Sequence, residues 1–236
     1  MSDSVVIIPT YNERENVENM TRKMMSLSKD FHVLFVDDSS PDGTSDIILE
    51  LQKEFPGRIH LEIRHGKLGL GTAYIHGFKW SIAHNYEFIF EMDCDFSHNP
   101  DDLIRLYDAC ANGADLSIGS RYVKGGSVKN WDMKRKLMSY FASIYVRMIL
   151  WIGIKDTTAG FKCYRKKVLE TVNLDGIHFK GYAFQICMKY AAKKHGFKIK
   201  EVPITFIDRE LGVSKMSTGI FKEAFFGVWK MRGMDL

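Results

Sequence analysis

The segment 88–95 most constrains what this chain can fold into. Its apolar first half has the pattern of a buried strand, and two carboxylates, Asp93 and Asp95, follow that strand. In an open α/β sheet, ligands bind at the carboxyl ends of the strands. Two carboxylates there are costly to bury unless a positive group lies between them. A divalent cation that also binds phosphate oxygens meets this need, so the segment indicates a metal–diphosphate site. The alternative is a pair of solvated loop acids that precede a helix beginning near Pro100.

Strand and helix patterns alternate along the first half of the chain. Short apolar runs predict the strands, and apolar residues from Leu70 to Phe78 recur at helical spacing. Strands that alternate with helices predict an α/β fold with a mostly parallel central sheet and helices on both faces. The predicted strands are 5–8, 33–36, 59–63, 88–92 and 116–119, and the predicted helices span about 15–28, 44–54, 70–85 and 101–112.

The second half is less regular. The patterns predict a helix over about 132–153, a strand at 161–165, a helix over about 183–195, a strand at 199–206 and a terminal helix from Thr218. The stretch 137–154 is apolar enough to suggest a membrane span, but Arg147 would cost about 2.5–3.5 kcal/mol near a bilayer centre. We therefore expect an amphipathic helix that lies on the sheet or in a membrane interface, and the same two alternatives for the terminal helix.

Composition excludes some functional classes. The chain has 236 residues, which suit a single domain with a substantial core. Its net charge of +4 is too small to predict nucleic-acid binding, but it fits an anionic substrate or a membrane surface. The four cysteines show neither zinc spacing nor a disulfide framework, and the first residues do not form a signal-peptide pattern, so we expect a cytoplasmic protein.

Other candidate site residues also follow strands. Glu13 and Asp37 could accept hydrogen bonds from a base and a ribose. Arg121 opens a glycine-rich loop that leads to three consecutive cations, Lys134, Arg135 and Lys136. Such a run usually forms a solvated face, but beside Arg121 and Ser139 it could instead hold a phosphate. The stretch 208–215 carries two cations and could close over a diphosphate as a lid.

Several motifs in this order resemble those of one enzyme family. The chain is similar to inverting glycosyltransferases of family 2 with a GT-A (Rossmann-like nucleotide-diphospho-sugar transferase) fold, and within them to the dolichol-phosphate, or polyprenyl-phosphate, mannose synthases. The similarity covers almost the whole chain. The residues that carry it are Ile8–Glu13, Val36–Asp38, Gly69–Gly77, Met92–Asp95, Gly119–Tyr122, Trp131–Lys136, Tyr164–Glu170, Arg209, Ser214 and Lys215.

The resemblance implies transfer of mannose from GDP-mannose to a polyprenyl phosphate with Mg²⁺ or Mn²⁺ as cofactor. Residues 1–120 would form the nucleotide-sugar half of one domain, and 121–236 the acceptor half with a C-terminal amphipathic helix. The implied donor-binding residues are Pro9, Tyr11, Glu13, Asp37, Asp93, Arg209 and Lys215. Arg121, Arg135 and Ser139 would hold the acceptor phosphate, Asp93 and Asp95 the metal, and the catalytic residues would be Asp95, Arg121 and Arg135. Some relatives have a third metal ligand where this chain has Ser97.

Three alternatives remain open at this point. The donor could be UDP-glucose or another UDP-sugar, the acceptor could be a non-lipid molecule, or the chain could be a non-catalytic subunit. The paired Arg121 and Arg135 favour a phosphate acceptor over a neutral hydroxyl. A simple dinucleotide-binding module is disfavoured, because no Gly-x-Gly-x-x-Gly motif follows the first strand. We expect peripheral association with the cytoplasmic face of a membrane, with a membrane-anchoring partner subunit as a further possibility.

Overall fold

The computed structural model describes residues 2–208 and 218–236. Within them, a seven-stranded sheet is flanked by helices on both faces, as the alternating patterns predict. Strands and helices follow in this order: β1 Ser4–Thr10, α1 Arg14–Met25, β2 His32–Asp37, α2 Thr44–Glu54, β3 Ile59–Ile63, α3 Leu70–Ala83, β4 Phe88–Glu91, α4 Asp102–Ala111, β5 Leu116–Ser120, β6 Ser127–Lys129, α5 Met133–Leu150, β7 Lys162–Arg165, α6 Lys166–Thr171, α7 Tyr182–Lys194, β8 Ile199–Pro203, β9 Thr205–Ile207 and α8 Thr218–Met231.

The strand order in the large sheet is β3-β2-β1-β4-β7-β5-β8. All neighbouring pairs are parallel except those of β7, which runs antiparallel between β4 and β5. The carboxyl ends of β1, β4 and β5 therefore point to the same edge of the sheet, which positions the loops that follow them close together. Both predicted halves contribute strands to this one sheet.

Alternation along the central strands divides the core into two layers. Val5 and Ile7 pack on one face, while Val6 and Ile8 pack on the other, because successive side chains of a strand point to opposite faces. The first face carries α3, α5, α6, α7 and α8, and the second carries α1, α2 and α4. Strands buried on both faces explain why these segments are almost continuously apolar.

One predicted strand is wrong in its extent. The run 199–206 divides into β8, which stays in the large sheet, and β9, which pairs with β6 in a separate two-stranded sheet. Pro203 ends β8 because it has no backbone N–H to continue the ladder. The division carries Phe206 and Asp208 towards the end of β4, where the N–H of Ile207 donates to the carbonyl of Ser97 at 3.2 Å.

Candidate active site

A cavity of about 380 Å³ lies at the carboxyl ends of β1, β4 and β5. Most of the residues predicted from the sequence line it. The structure brings together Pro9, Tyr11, Glu13, Asp93, Asp95, Arg121 and Arg135. Asp37 and Ser139 are not among its lining residues, and Arg209 and Lys215 lie outside the described residues.

The two carboxylates of the first motif lie where β4 ends. Asp93 is partly exposed, whereas Asp95 is buried and accepts a hydrogen bond from the N–H of Ser97 at 3.1 Å. The chain turns sharply after Asp95, since Phe96 has a φ of 58°. A bulky residue at positive φ is rare, and such backbone conformations concentrate at functional sites.

His98 lies beneath these acids. Its Nδ1 is 3.8 Å from a carboxylate oxygen of Asp93, and its ring stacks on Phe161 with centroids 4.9 Å apart. Burial lowers the pKa of His98 to about 4, although the charge of Asp95 acts in the opposite direction. The ring is therefore neutral near pH 7.

Among residues 2–208 and 218–236, no cluster of three or more His, Cys, Asp or Glu side chains is arranged to hold a metal.

Arg121 is fixed by a buried ion pair. Its Nε donates to Oδ2 of Asp156 at 2.8 Å and its Nη2 to Oδ1 at 2.6 Å, while Nη2 also donates to the hydroxyl of Thr158. Burial alone would raise the pKa of Asp156. The charge and hydrogen bonds of Arg121 lower it by a larger amount, so the pKa of Asp156 lies below its ordinary value. The guanidinium therefore faces the cavity as a rigid charge.

Arg135 is held differently. It lies in the first turn of α5, where the carboxylate of Asp132 caps the helix by accepting from the N–H of Arg135 at 2.7 Å. Its guanidinium carbon lies 4.2 Å from the ring centroid of Trp131, and Nη1 donates to Asp208 at 2.6 Å. Arg135 and Asp208 are both partly exposed, so this ion pair is more easily exchanged than the Arg121–Asp156 pair.

Asp37 and Ser139 do not line the cavity and are held by hydrogen bonds to other side chains. The Asp37 carboxylate accepts hydrogen bonds from the hydroxyl groups of Thr10, Ser40 and Ser45, and it thereby holds the loop after β2. The hydroxyl of Ser139 accepts from that of Tyr122 at 2.7 Å. In this structure neither side chain is positioned against the cavity, so their assignment to substrates stays a prediction.

Sequence reasoning missed several residues at the site. Asp38, rather than Asp37, lines the cavity, and Arg64 pairs with it. Lys67 lies over the ring of Tyr11, with its Nζ 4.6 Å from the ring centroid. Asp156 could have been noticed as a lone acid in an apolar stretch, but nothing in the sequence pairs it with Arg121.

Beneath the cavity floor lies a buried polar network. The Nζ of Lys162 is 3.0 Å from the carboxylate of Glu91, which also accepts from the hydroxyl of Tyr164 and from the amide of Gln185, each at 2.8 Å. Gln185 lines the cavity, so α7 is tied to the strand that carries the acids. Lys189 donates to the carbonyls of residues that precede β7. Buried charges of this kind require such partners.

Comparisons with known proteins agree on one family. A family model described as glycosyl transferase family 2 matches residues 5–172. Polyprenol monophosphomannose synthase of Mycolicibacterium smegmatis is 49% identical over 232 residues, covering 98% of this chain and 88% of that protein. Undecaprenyl-phosphate mannosyltransferase of Micrococcus luteus is 45% identical over 224 residues, covering 95% and 91%.

Solved structures share the fold at low identity. Glucosyl-3-phosphoglycerate synthase from Mycobacterium tuberculosis, in a complex with Mn²⁺, UDP and phosphoglyceric acid, superimposes with a TM-score of 0.71. It is 14% identical, and the match covers 98% of this chain and 78% of that one. This likeness supports the predicted GT-A type of α/β fold.

Proposed function

The chain belongs to the polyprenyl-phosphate mannose synthases of glycosyl transferase family 2, and we propose that it takes the mannosyl group from GDP-mannose. It transfers that group to a polyprenyl phosphate, which is the reaction that the names of both curated relatives describe. The observation that carries the proposal is that two acids and two arginines line one cavity. Asp93 and Asp95 follow the end of β4, and Arg121 and Arg135 line the same cavity.

A donor nucleotide fits the side of the cavity formed by β1 and β2. Pro9, Tyr11 and Glu13 line it there, together with Asp38 and Lys67. Tyr11 places an aromatic ring on this side of the cavity, and carboxylates suit the donors of a purine and the hydroxyl groups of a ribose. These features support a nucleoside diphosphate sugar, and the mannosyltransferase relatives favour mannose as the sugar.

The acid pair fits a divalent cation of the Mg²⁺ or Mn²⁺ type. Magnesium sites in nucleotide enzymes commonly use one or two carboxylates and complete the shell with water and substrate phosphates. Asp93 and Asp95 are such a donor set, and both line the cavity. When bound, the cation would stabilise negative charge on the diphosphate leaving group. The glucosyl-3-phosphoglycerate synthase structure contains Mn²⁺ with UDP.

The protein's own contribution is to bring two anions together. The acceptor phosphate is mostly dianionic at neutral pH, since its second pKa is about 6. One of its oxygens attacks the anomeric carbon as the bond from that carbon to the diphosphate breaks, and the configuration inverts. Arg121 and Arg135 offset the repulsion between the two substrates and orient the attacking oxygen. A strong general base is unnecessary because the nucleophile carries no proton that must be removed.

We also propose that a membrane surface presents the acceptor. Arg135 lies on α5, and the same helix exposes Leu137, Phe141 and Met148. Helix α8 packs beside it and exposes Phe225, Phe226 and Trp229. Within the described ranges, no helix has the length and apolar character needed to cross a bilayer. The apolar surface of the two helices suits the interface from which a lipid phosphate would reach Arg135.

Transfer of labelled sugar tests the proposal directly. Purified protein is incubated with a polyprenyl phosphate, Mg²⁺ or Mn²⁺, and labelled GDP-mannose, GDP-glucose or UDP-glucose in parallel. We expect label from GDP-mannose alone to enter the lipid, and chelation of the metal to stop the reaction. Label transferred from UDP-glucose at an equal or higher kcat/KM would contradict the donor assignment.

A further inference from the structure

Trp131 lies between the two arginines of the cavity. It immediately precedes the capping residue of α5, lines the cavity and is only 9% exposed. The guanidinium carbons of Arg135 and Arg121 lie 4.2 and 5.5 Å from its ring centroid. The ring of Phe206 meets it edge-on, with centroids 5.4 Å apart. The ring of Trp131 is therefore held by packing and by cation–π contacts.

The indole N–H is not accounted for. Nε1 of Trp131 is buried, and among the described residues it has no hydrogen-bond partner. An indole nitrogen can only donate, and buried donors in native structures nearly always have an acceptor. Even the exposed Trp229 has an acceptor, since its Nε1 donates to the hydroxyl of Tyr145 at 3.0 Å. A donor without an acceptor beside a cavity points to an acceptor that a ligand supplies.

We propose that Trp131 binds the acceptor phosphate, with its indole N–H donating a hydrogen bond to a phosphate oxygen while its ring positions Arg135. This inference rests on the proposed function, which places a phosphate monoester beside these arginines. Two guanidinium groups within 5.5 Å of the ring select an oxyanion over a neutral sugar hydroxyl. Trp131 would thus join Arg135 in a single phosphate-binding unit at the start of α5.

Replacement of the indole by a phenyl ring separates the N–H from the stacking. We expect Trp131→Phe to raise the KM for a short-chain prenyl phosphate about tenfold to hundredfold, the effect of losing one hydrogen bond to a charged group, while the KM for GDP-mannose stays unchanged. Trp80→Phe is the matched control, because Trp80 lies on α3 and outside the cavity lining. Wild-type KM values for both substrates in a folded Trp131→Phe protein would overturn the inference.

A spectroscopic measurement decides the same point without turnover. The chain has four tryptophans, so protein labelled with ¹⁵N-tryptophan gives four indole resonances, and the one lost in Trp131→Phe identifies Trp131. We expect the prenyl phosphate alone to shift this resonance downfield. A resonance that stays in place at saturating prenyl phosphate, or one that moves only with GDP-mannose, would overturn the inference. If the wild-type protein transferred no sugar, the proposed function would fail, and this titration would still decide the role of Trp131.

Discussion

At the scale of single residues, the two cavity arginines differ in what they can do. Arg121 is buried and bound at two nitrogens by Asp156, and removal of either partner would leave an uncompensated buried charge. Arg135 is partly exposed and has one carboxylate partner, Asp208. A phosphate can displace that carboxylate at small cost. We therefore expect Arg135 to exchange Asp208 for the acceptor phosphate. Arg121 stays paired with Asp156 and contributes a fixed positive charge.

Replacement of Arg135 by alanine tests this distinction. We expect the KM for the lipid phosphate to rise about tenfold to hundredfold, because a charged hydrogen bond contributes roughly 1.5–3 kcal/mol. The KM for GDP-mannose should change little. Steady-state kinetics with each substrate varied in turn give both values. In assays with a short-chain, water-soluble prenyl phosphate, which needs no membrane surface, Lys136→Ala is the matched control, since Lys136 is the next residue and does not line the cavity. Equal rises in both KM values would mean that Arg135 serves the donor or the fold.

Asp95 is the second single-residue test. Asp95→Asn keeps an oxygen that can accept from the N–H of Ser97, so the loop after β4 should keep its shape. We expect kcat to fall roughly 100-fold or more, as it does when a group that stabilises transition-state charge is lost. Circular dichroism and urea unfolding would check the fold. Asp101→Asn, in the same loop but outside the cavity lining, should retain activity. A folded Asp95→Asn protein with full metal-dependent turnover would contradict the metal assignment.

At the scale of elements, the start of α3 is packed tightly against the chain that leads into α7. Gly71 donates its N–H to the carbonyl of Lys180 at 3.0 Å. A Cβ at Gly71 would lie 2.2 Å from the carbonyl oxygen of Phe179 and 2.9 Å from the ring of Phe184. Lys180, Gly181 and Tyr182 line the cavity, so this contact sets the position of one cavity wall.

Gly71→Ala should therefore push that wall away. We expect a loss of about 1–3 kcal/mol in the free energy of unfolding, the usual cost of an overpacked contact, together with lower activity. Urea unfolding and label transfer measure the two effects. Gly153→Ala is the control, because a Cβ there would meet nothing within 4 Å. If both variants unfolded at the same urea concentration as the wild type, α3 would not be held as closely as the structure indicates.

Sequence patterns predicted the elements better than their arrangement. The apolar runs of β1, β2 and β4 were found because strands buried on both faces have a strong local pattern. The insertion of antiparallel β7 between β4 and β5 was not predicted, because pairing between distant segments leaves no local pattern. The same reason applies to the site. Asp93 and Asp95 could be assigned to the site because ligands bind at the carboxyl ends of strands. The ion pair of Arg121 with Asp156, 35 residues later, could not be predicted because it depends on tertiary structure.

At the scale of the whole molecule, exposed apolar side chains concentrate on one side of the sheet. Helices α5 and α8 pack against each other there, with the rings of Tyr145 and Phe225 stacked 4.7 Å apart. Phe141 and Phe226 are 60% and 68% exposed. Lys134 and Lys136 lie in the first turn of α5, close to Arg135. An apolar surface bordered by cations fits an anionic membrane better than it fits water.

This surface leads to a prediction about membrane binding. We expect the protein to float with anionic vesicles that contain polyprenyl phosphate, and high salt should weaken the association because surface charge contributes to it. The double variant Phe141→Asp/Phe226→Asp should lose flotation, since it places two charges in the interface, but it should still use a short-chain, water-soluble prenyl phosphate. Leu49→Asp is the control, because Leu49 is an exposed apolar residue on α2, which packs on the opposite face of the sheet. Wild-type protein that never floats with these vesicles would refute direct docking, and delivery by a membrane-anchoring partner subunit would then have to bring the lipid to Arg135.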